Sequence, residues 1–346
     1  MPSGATTYMS SLDHWQPIML SRRLKRKPVA IGLPEQEIVV FRTAAGVLGA
    51  LANRCPHRGM RLSRGRMENE RLTCAYHGWS YDTAGKGVSP GNPKFHVCAT
   101  SFDTAEKYGM IWLKSRQTHS ELPTLDAEGF YHIHTLCKTV QAPVEVLLDN
   151  FTEVEHTSTA HLIFGYAKEK MDEVRLETEV TDDRVRSLCS GPQKKLFWFV
   201  EPFIRVHTGD RFIVDFTTYF APLHARYEMS WEDSVSGVQR PLRLKEAAFF
   251  CKLNEQESLL VAFYFSTLKP SGRMGFNRMI SPFVRKVIDY EFELDRRLIE
   301  NVVHTGAQLQ GCHLGRFDKA LVAQRRHLTK SAQTPGPQPH SESVED

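Results

Sequence analysis

The sequence predicts an α+β protein: a small all-β domain at the N-terminus, then a larger domain whose antiparallel sheet is flanked by helices. Three observations predict it. Short apolar runs broken by turn residues occupy the chain up to Leu113, longer strand-like runs recur between Leu196 and Thr267, and helical periodicity is confined to two stretches from Val144 onward. A chain of 346 residues is long enough to bury two cores. The expected divisions are an extension over 1–13, a first domain over 14–115, a second over 116–329 and a disordered tail over 330–346.

In the first domain, Ile38–Arg42 and Val47–Leu51 read as a hairpin around Thr43-Ala44-Ala45-Gly46, and Lys107–Leu113 as a returning strand. A polar connection over 116–140 carries a strand-like stretch near Phe130–His134. A helix is expected from about Val144 through His156. Leu196–Val200, Phe212–Phe216, Arg226–Trp231 and Ser258–Thr267 read as strands of one antiparallel sheet, with Leu259–Phe265 a buried run. A last long helix is expected over roughly Pro282–Val303. Beyond Thr329 the chain is polar and rich in proline, a composition that cannot bury a core. No internal repeat is present.

A net charge of +4 gives no electrostatic argument for nucleic acid or an anionic membrane as a partner. No apolar run is long enough to span a membrane, and the first residues lack the charged and apolar regions of a signal peptide. Seven cysteines is an odd number, and Cys98, Cys137, Cys189, Cys251 and Cys312 are scattered without a pairing pattern. That usage suits a reducing cytoplasm.

The densest chemistry lies between Cys55 and His77. Cys55-Pro56-His57-Arg58-Gly59 offers a thiolate and an imidazole; with sixteen residues between His57 and Cys74, Cys74-Ala75-Tyr76-His77-Gly78-Trp79 offers another of each. Two Cys and two His suit a tetrahedral zinc or a [2Fe–2S] cluster with two Cys on one iron and two His on the other. Spacing separates the two. Zinc fingers pair Cys with Cys and His with His on separate elements, whereas here each loop supplies one of each, as a cluster reached from two sides requires. Pro56, Gly59 and Gly78 fit tight loops that turn backbone N–H groups inward.

A second constellation runs from Asp149 and Asn150 through Glu153 and His156 to His161. Imidazole and carboxylate donors with open positions suit a non-heme Fe(II). On one continuous helix His156 and His161 would stand about 140° apart, so both can face one ion only if the helix ends or distorts between them. Thr157-Ser158-Thr159 is a weak helix former. Two unrelated polar histidines at a helix end fit these residues equally well. A third donor must come from elsewhere. On the last helix Asp295 and Glu291 fall at about 20° and 340° from Val284, inside an apolar stripe of Val284, Val287, Ile288, Leu294, Leu298 and Val302. Glu293, Asp289 and Glu300 fall on the wet side. A carboxylate in an apolar stripe needs a partner, either a metal or an arginine such as Arg285.

Both motifs, in this order, resemble the Rieske non-heme iron oxygenases, the large subunits of bacterial ring-hydroxylating and demethylating systems. The resemblance runs from Trp15 to Leu328, and length and motif detail are similar to the short monooxygenase and demethylase branch of the vanillate, toluenesulfonate and dicamba type. It implies that Cys55, His57, Cys74 and His77 ligate a [2Fe–2S] cluster. The family pattern of Asn, acid, His and His falls on Asn150, Glu153, His156 and His161, and the pattern of an acid, four residues and then Glu falls on Asp295 and Glu300. The resemblance therefore implies mononuclear Fe(II) on His156, His161 and Asp295, with Glu291 the reserve ligand, Asn150 near the iron and Glu153 an electron relay. Most members carry Asp where this chain has Glu153; a minority, including oxygenases of carnitine and glycine betaine, carry Glu.

The implied activity is that of a terminal mono- or dioxygenase. It would use dioxygen, and electrons from an NAD(P)H-dependent reductase or ferredoxin, to hydroxylate or oxidatively demethylate a small aromatic substrate. The implied assembly is a homotrimer, the cluster of one subunit facing the iron of the next. The alternatives are a quaternary-amine oxygenase, which Glu153 hints at, and an electron-transfer protein without a working iron site.

Overall fold

A computed structural model describes residues 12–268, 276–303, 309 and 311–331. The extension expected over 1–13 and the tail expected over 330–346 fall largely outside these residues; Lys330 and Ser331 lie within a helix.

The N-terminal strands form three small antiparallel sheets. Gln16–Leu20, Met110–Ser115 and Phe102–Lys107 make one, Val29–Gly32, Glu37–Arg42 and Leu48–Ala52 a second, and a five-stranded meander from Arg66 to Cys98 the third. Thr43–Gly46 closes the expected hairpin, with Gly46 at φ +87°. Lys107–Leu113 is not one strand. Tyr108 and Gly109 both take positive φ, +56° and +72°, which is the turn that joins two twisted strands, so the apolar run straddles a hairpin.

The second half is built on one seven-stranded antiparallel sheet. Its order is Tyr131–Val140, Glu257–Ser266, Gln239–Asn254, Leu223–Glu232, Arg211–Phe220, Arg184–Pro192 and Arg175–Val180. Alternation along its central strands sends residues to opposite faces. Ala247, Phe249, Val261 and Phe263 meet Ile111, Trp112 and Leu113 of the N-terminal strands, with Trp112 edge-on to Phe249 at 5.2 Å. Ala248, Phe250, Leu260 and Ala262 meet Val144, Leu147, Leu148, Phe292 and Ile299 of the helices. The sheet is thus a partition with a core on each side.

Four expectations are corrected. The first helix covers only Val144–Asn150. Thr152 Oγ1 bonds back to the carbonyls of Leu148 and Asp149, and Glu153 accepts the N–H groups of Glu155 and His156, which starts a separate 3-10 turn over His156–Ser158. Leu196–Val200 is a turn, not a strand. Its aromatic content imitates strand propensity, but Phe197, Trp198 and Phe199 are exposed and only the two ends are buried. The long helix spans Phe276–Ile299, with Pro282 inside rather than at its start. Leu298 and Val302 are exposed, so the inward face runs instead through Val284, Val287, Ile288, Glu291, Phe292, Asp295 and Ile299. A further helix, Lys319–Ser331, was not expected; its short apolar face is interrupted by polar residues, of which Gln324 and Arg325 are buried. No helix among the described residues is long and apolar enough to cross a membrane.

Candidate metal centres

The two cysteine loops share one backbone frame. Cys55 N–H donates to Met60 O at 2.8 Å and Cys74 N–H to Trp79 O at 2.7 Å, while Gly59 and Gly78 donate back to Cys55 O and Cys74 O at 2.8 and 3.2 Å. Each loop turns through a glycine in the left-handed region, φ +75° at Gly59 and +68° at Gly78. Within this frame Cys55 and Cys74 point inward and are buried, whereas His57 is exposed and His77 partly so. Tyr81 Oη lies 3.1 Å from Cys55 Sγ. The two imidazoles meet edge to face with centroids 4.6 Å apart, and His57 stacks on Trp79 at 4.5 Å.

Two thiols inside and two imidazoles outside match the donor set of a [2Fe–2S] cluster, sulfur on the inner iron and nitrogen on the outer. A single tetrahedral zinc would draw all four donors to within about 2.0–2.3 Å of one point. Among the described residues the only three such side chains whose donor atoms lie within 4.8 Å of one another are His156, His161 and Asp295, so no three of the loop donors close up in that way.

This trio is drawn from separate elements. His156 opens the 3-10 turn, His161 follows it on an irregular loop, and Asp295 comes from the long helix. Asp295 Oδ1 lies 3.0 Å from His161 Nε2 and 3.6 Å from His156 Nε2. Glu153 Oε1 holds His156 Nδ1, which leaves Nε2 facing the trio's centre. That outer bond is the kind that fixes the tautomer of a metal-bound histidine. Glu291 stands beside the trio but is otherwise employed: its carboxylate accepts the backbone N–H groups of Leu162 and Ile163 at 3.0 Å. Lys194 Nζ donates to Thr157 O at 2.7 Å and also to His161 O. Gly165 lets the loop close, because a Cβ there would lie 2.5 Å from Thr157 O and its φ is +144°. Two imidazoles and one carboxylate that converge, with a cavity on the remaining side, fit an iron with open positions.

The other acids on and just beyond the long helix are taken: Asp289 by His134 at 3.2 Å, Glu293 by Arg296, and Glu300 by Arg296 and the Gln141 N–H. Asp149 pairs with Arg325 of the last helix; burial pushes its carboxyl up to about 6 while the guanidinium pulls the other way.

A cavity of about 790 Å³ opens beside the trio. Asn150, Phe151, Phe164, Phe216, Tyr227 and Tyr264 line it. Phe263, which the sequence groups with the same aromatics, points into the core on the opposite face of the sheet. Sequence reasoning missed Glu246, Tyr227 and Tyr264. The alternation of three neighbouring strands carries them to the cavity face, but that signal has meaning only once the register Tyr227–Glu246–Tyr264 is known.

Comparison with known proteins finds similarity at two levels, a domain family and an overall fold. Residues 14–100 match the family described as Rieske [2Fe-2S] domain. The chain is 27% identical over 186 residues to Protein TIC 55, chloroplastic, of Arabidopsis thaliana, covering 49% of this chain and 34% of that protein. It is 34% identical over 135 residues to the 3-chlorobenzoate-3,4-dioxygenase oxygenase subunit of Comamonas testosteroni, covering 36% and 31%. The matched stretch therefore spans about a third of the length of these relatives. Dicamba monooxygenase, solved with 3,6-dichlorosalicylic acid, superposes over 93% of this chain and 98% of its own at TM-score 0.77 and 18% identity, which is a likeness of fold.

Proposed function

We propose that this chain, whose residues 14–100 belong to the Rieske [2Fe–2S] domain family, is the terminal oxygenase of a multicomponent system that hydroxylates or oxidatively demethylates a small, largely apolar substrate. One observation carries the reading: the convergent His156, His161 and Asp295 open onto a large apolar cavity. A plain electron carrier needs neither a second donor set nor a cavity beside it.

In this reading Cys55, Cys74, His57 and His77 hold the cluster and His156, His161 and Asp295 hold Fe(II), with Glu291 left to brace the loop. When bound, the cluster supplies electrons one at a time and the iron supplies activation of dioxygen. The chain's own residues do the rest. Glu153 keeps His156 in the tautomer that leaves Nε2 free, and Asn150 places a polar group at the iron end of the cavity. Phe151, Phe164 and Phe216 keep bulk water away and give an aromatic-sized molecule an apolar bed. Electrons arrive from an NAD(P)H-dependent reductase, directly or through a ferredoxin, in a reducing cytoplasm that suits five cysteines scattered outside the cluster loops.

The assembly proposed is a homotrimer closed head to tail, in which Glu153 links His156 to His77 of the neighbouring copy. Glu153 supports this because its side chain keeps 18% exposure although it already holds His156. Subunits carrying His77→Ala and subunits carrying His161→Ala, each inactive alone, should regain activity in mixed rings. Glu153→Gln in the chain with the intact iron site should abolish that recovery with both metals retained.

The test of the reading itself is metal content and turnover. The expected result is iron beyond the two atoms per cluster, removable by a mild chelator without bleaching the visible spectrum. NADH-dependent oxygen uptake with a generic reductase should rise with aryl ethers or N-methyl compounds and match product formed. Cluster iron alone, with no substrate-dependent uptake, would overturn it.

A further inference from the structure

Among the acids that line the cavity, one carboxyl oxygen stands out. Glu153 holds His156 and two backbone N–H groups, Glu291 holds Leu162 and Ile163, and Asp295 faces both histidines. Glu246 is different. It lies on the central strand Gln239–Asn254 and lines the cavity, and its Oε1 is buried without a hydrogen-bond partner. A buried acceptor with no donor calls for an explanation, and an absent ligand is one. The Tyr264 hydroxyl hydrogen-bonds the same carboxyl group, which leaves Oε1 as its unpaired oxygen. The Tyr227 hydroxyl cannot serve, because it donates to Phe151 O.

Strand register places Glu246 directly between Tyr227 and Tyr264, and Phe216 extends the row beyond Tyr227. All four side chains belong to the face of the sheet that looks toward the iron trio. An acidic group between aromatic rings, in a wall that is otherwise apolar, complements a donor or a positive charge, whereas a carboxylate would have to bury its charge there with no cation to meet it. The only cationic side chain on the cavity wall, among the described residues and apart from the histidines, is Arg205, which is exposed at the rim.

We infer that Glu246 is the substrate-recognising group of this cavity and that the substrate is a ring-sized apolar molecule presenting a nitrogen-bound hydrogen, from an amide or a protonated amine, rather than a carboxylate. The inference rests on the oxygenase reading only for the word substrate; recognition by Glu246 can be measured without turnover. Burial pushes the Glu246 carboxyl up to about 8, so the empty cavity holds mostly the neutral acid at pH 7. An amide would then bind with no change in protonation, whereas a protonated amine would bind with release of a proton. This separates the two sources of the same N–H chemistry.

The experiment uses the holoenzyme under anaerobic conditions and three probes with one ring: 4-methoxybenzamide, 4-methoxybenzylamine and 4-methoxybenzoate. Calorimetry in two buffers of different ionisation enthalpy gives affinity and proton release together. The amide or the amine should bind at least about tenfold more tightly than the benzoate, the step one well-placed contact supplies. Glu246→Leu should erase that preference. Glu246→Gln, nearly the same in shape, guards against a folding defect and should weaken the amine by about tenfold while largely keeping the amide. Equal affinity for all three probes, no binding of amide or amine at millimolar concentration, or a preference that survives Glu246→Leu would each overturn the inference. If the preference holds but the separate aerobic test finds no substrate-dependent oxygen uptake and no iron beyond the cluster, recognition by Glu246 stands and the oxygenase reading fails.

Discussion

The two candidate metal sites are built in opposite ways. The cysteine loops take four donors from one short stretch, and each loop holds its own shape through hydrogen bonds between near neighbours. The iron trio takes two donors from an irregular loop and the third from a helix more than a hundred residues later, and its loop is held by parts of the chain far away in sequence, Glu291 and Lys194. A site of the first kind is closed by local chemistry. A site of the second kind exists only when the tertiary structure is complete, so it should be the more fragile of the two.

The sharpest way to break this comparison is to delete one donor from each region. His161→Ala should reduce turnover to background and remove the additional iron, while the visible spectrum of the cluster survives. Cys74→Ser should bleach that spectrum and also stop turnover, while iron bound at His156, His161 and Asp295 persists. Metal analysis with absorption spectroscopy reads both. Loss of the cluster spectrum in His161→Ala would mean that the two regions are one cooperative unit.

How much of each site was legible follows from the same difference. The loops were readable because ligand spacing is itself a local property, and even Gly59 and Gly78 could be assigned to tight turns before any fold was known. His156 and His161 could be singled out, but the obstacle of their 140° separation disappeared for a reason periodicity could not supply. The helix ends at Asn150, because Thr152 bonds to its last carbonyls and Glu153 takes the N–H groups of Glu155 and His156 that would have continued it. Asp295 and Glu291 were equivalent on a helical wheel. Only the packed loop distinguishes them, by spending the Glu291 oxygens on Leu162 and Ile163. The stripe that included Leu298 and Val302 was misplaced because an apolar residue on a helix need not be buried. Glu246 was invisible for the opposite reason: a lone glutamate in a strand reads as a solvent-facing position until both faces of the sheet are known to be covered.

A smaller effect should sharpen the contrast. Arg325 of the last helix, 5% exposed, donates to Asp149 one residue before Asn150, and so ties the chain's far end to the helix that leads into the iron loop. Arg325→Met leaves the Asp149 carboxyl buried without its partner, which typically costs about 3–5 kcal/mol. The expected outcome is a lower unfolding midpoint and reduced occupancy of the additional iron, with the cluster spectrum intact at low temperature. Asp149→Leu combined with Arg325→Met should restore most of the stability. A cluster spectrum that fades before the iron is lost would reverse the order of fragility.

The smallest expected effect concerns the partition between the regions. His224 stacks on Phe249 at 5.0 Å, on the face of the sheet that packs against the N-terminal strands, and its Nδ1 lies 2.7 Å from Pro222 O. Burial pushes its pKa down to about 4 from the ordinary 6.5, with the Pro222 carbonyl opposing. The folded chain therefore keeps this imidazole neutral at a pH where the unfolded chain would protonate it. Between about 6.5 and 4 the unfolded state binds the extra proton, so the stability this residue provides is present above 6.5 and drains away as the pH falls. By pH 4.5 the loss should be about 2–3 kcal/mol. His224→Phe keeps the stacked ring and removes the titration. Thermal midpoints of the two proteins should accordingly differ more at pH 4.5 than at pH 7, in favour of the variant. Because His224 stacks on Phe249, which in turn meets Trp112 of the N-terminal strands, the wild-type cluster spectrum should be disturbed by acid at a higher pH than that of His224→Phe. Parallel pH profiles would show that this face of the partition does not govern acid sensitivity.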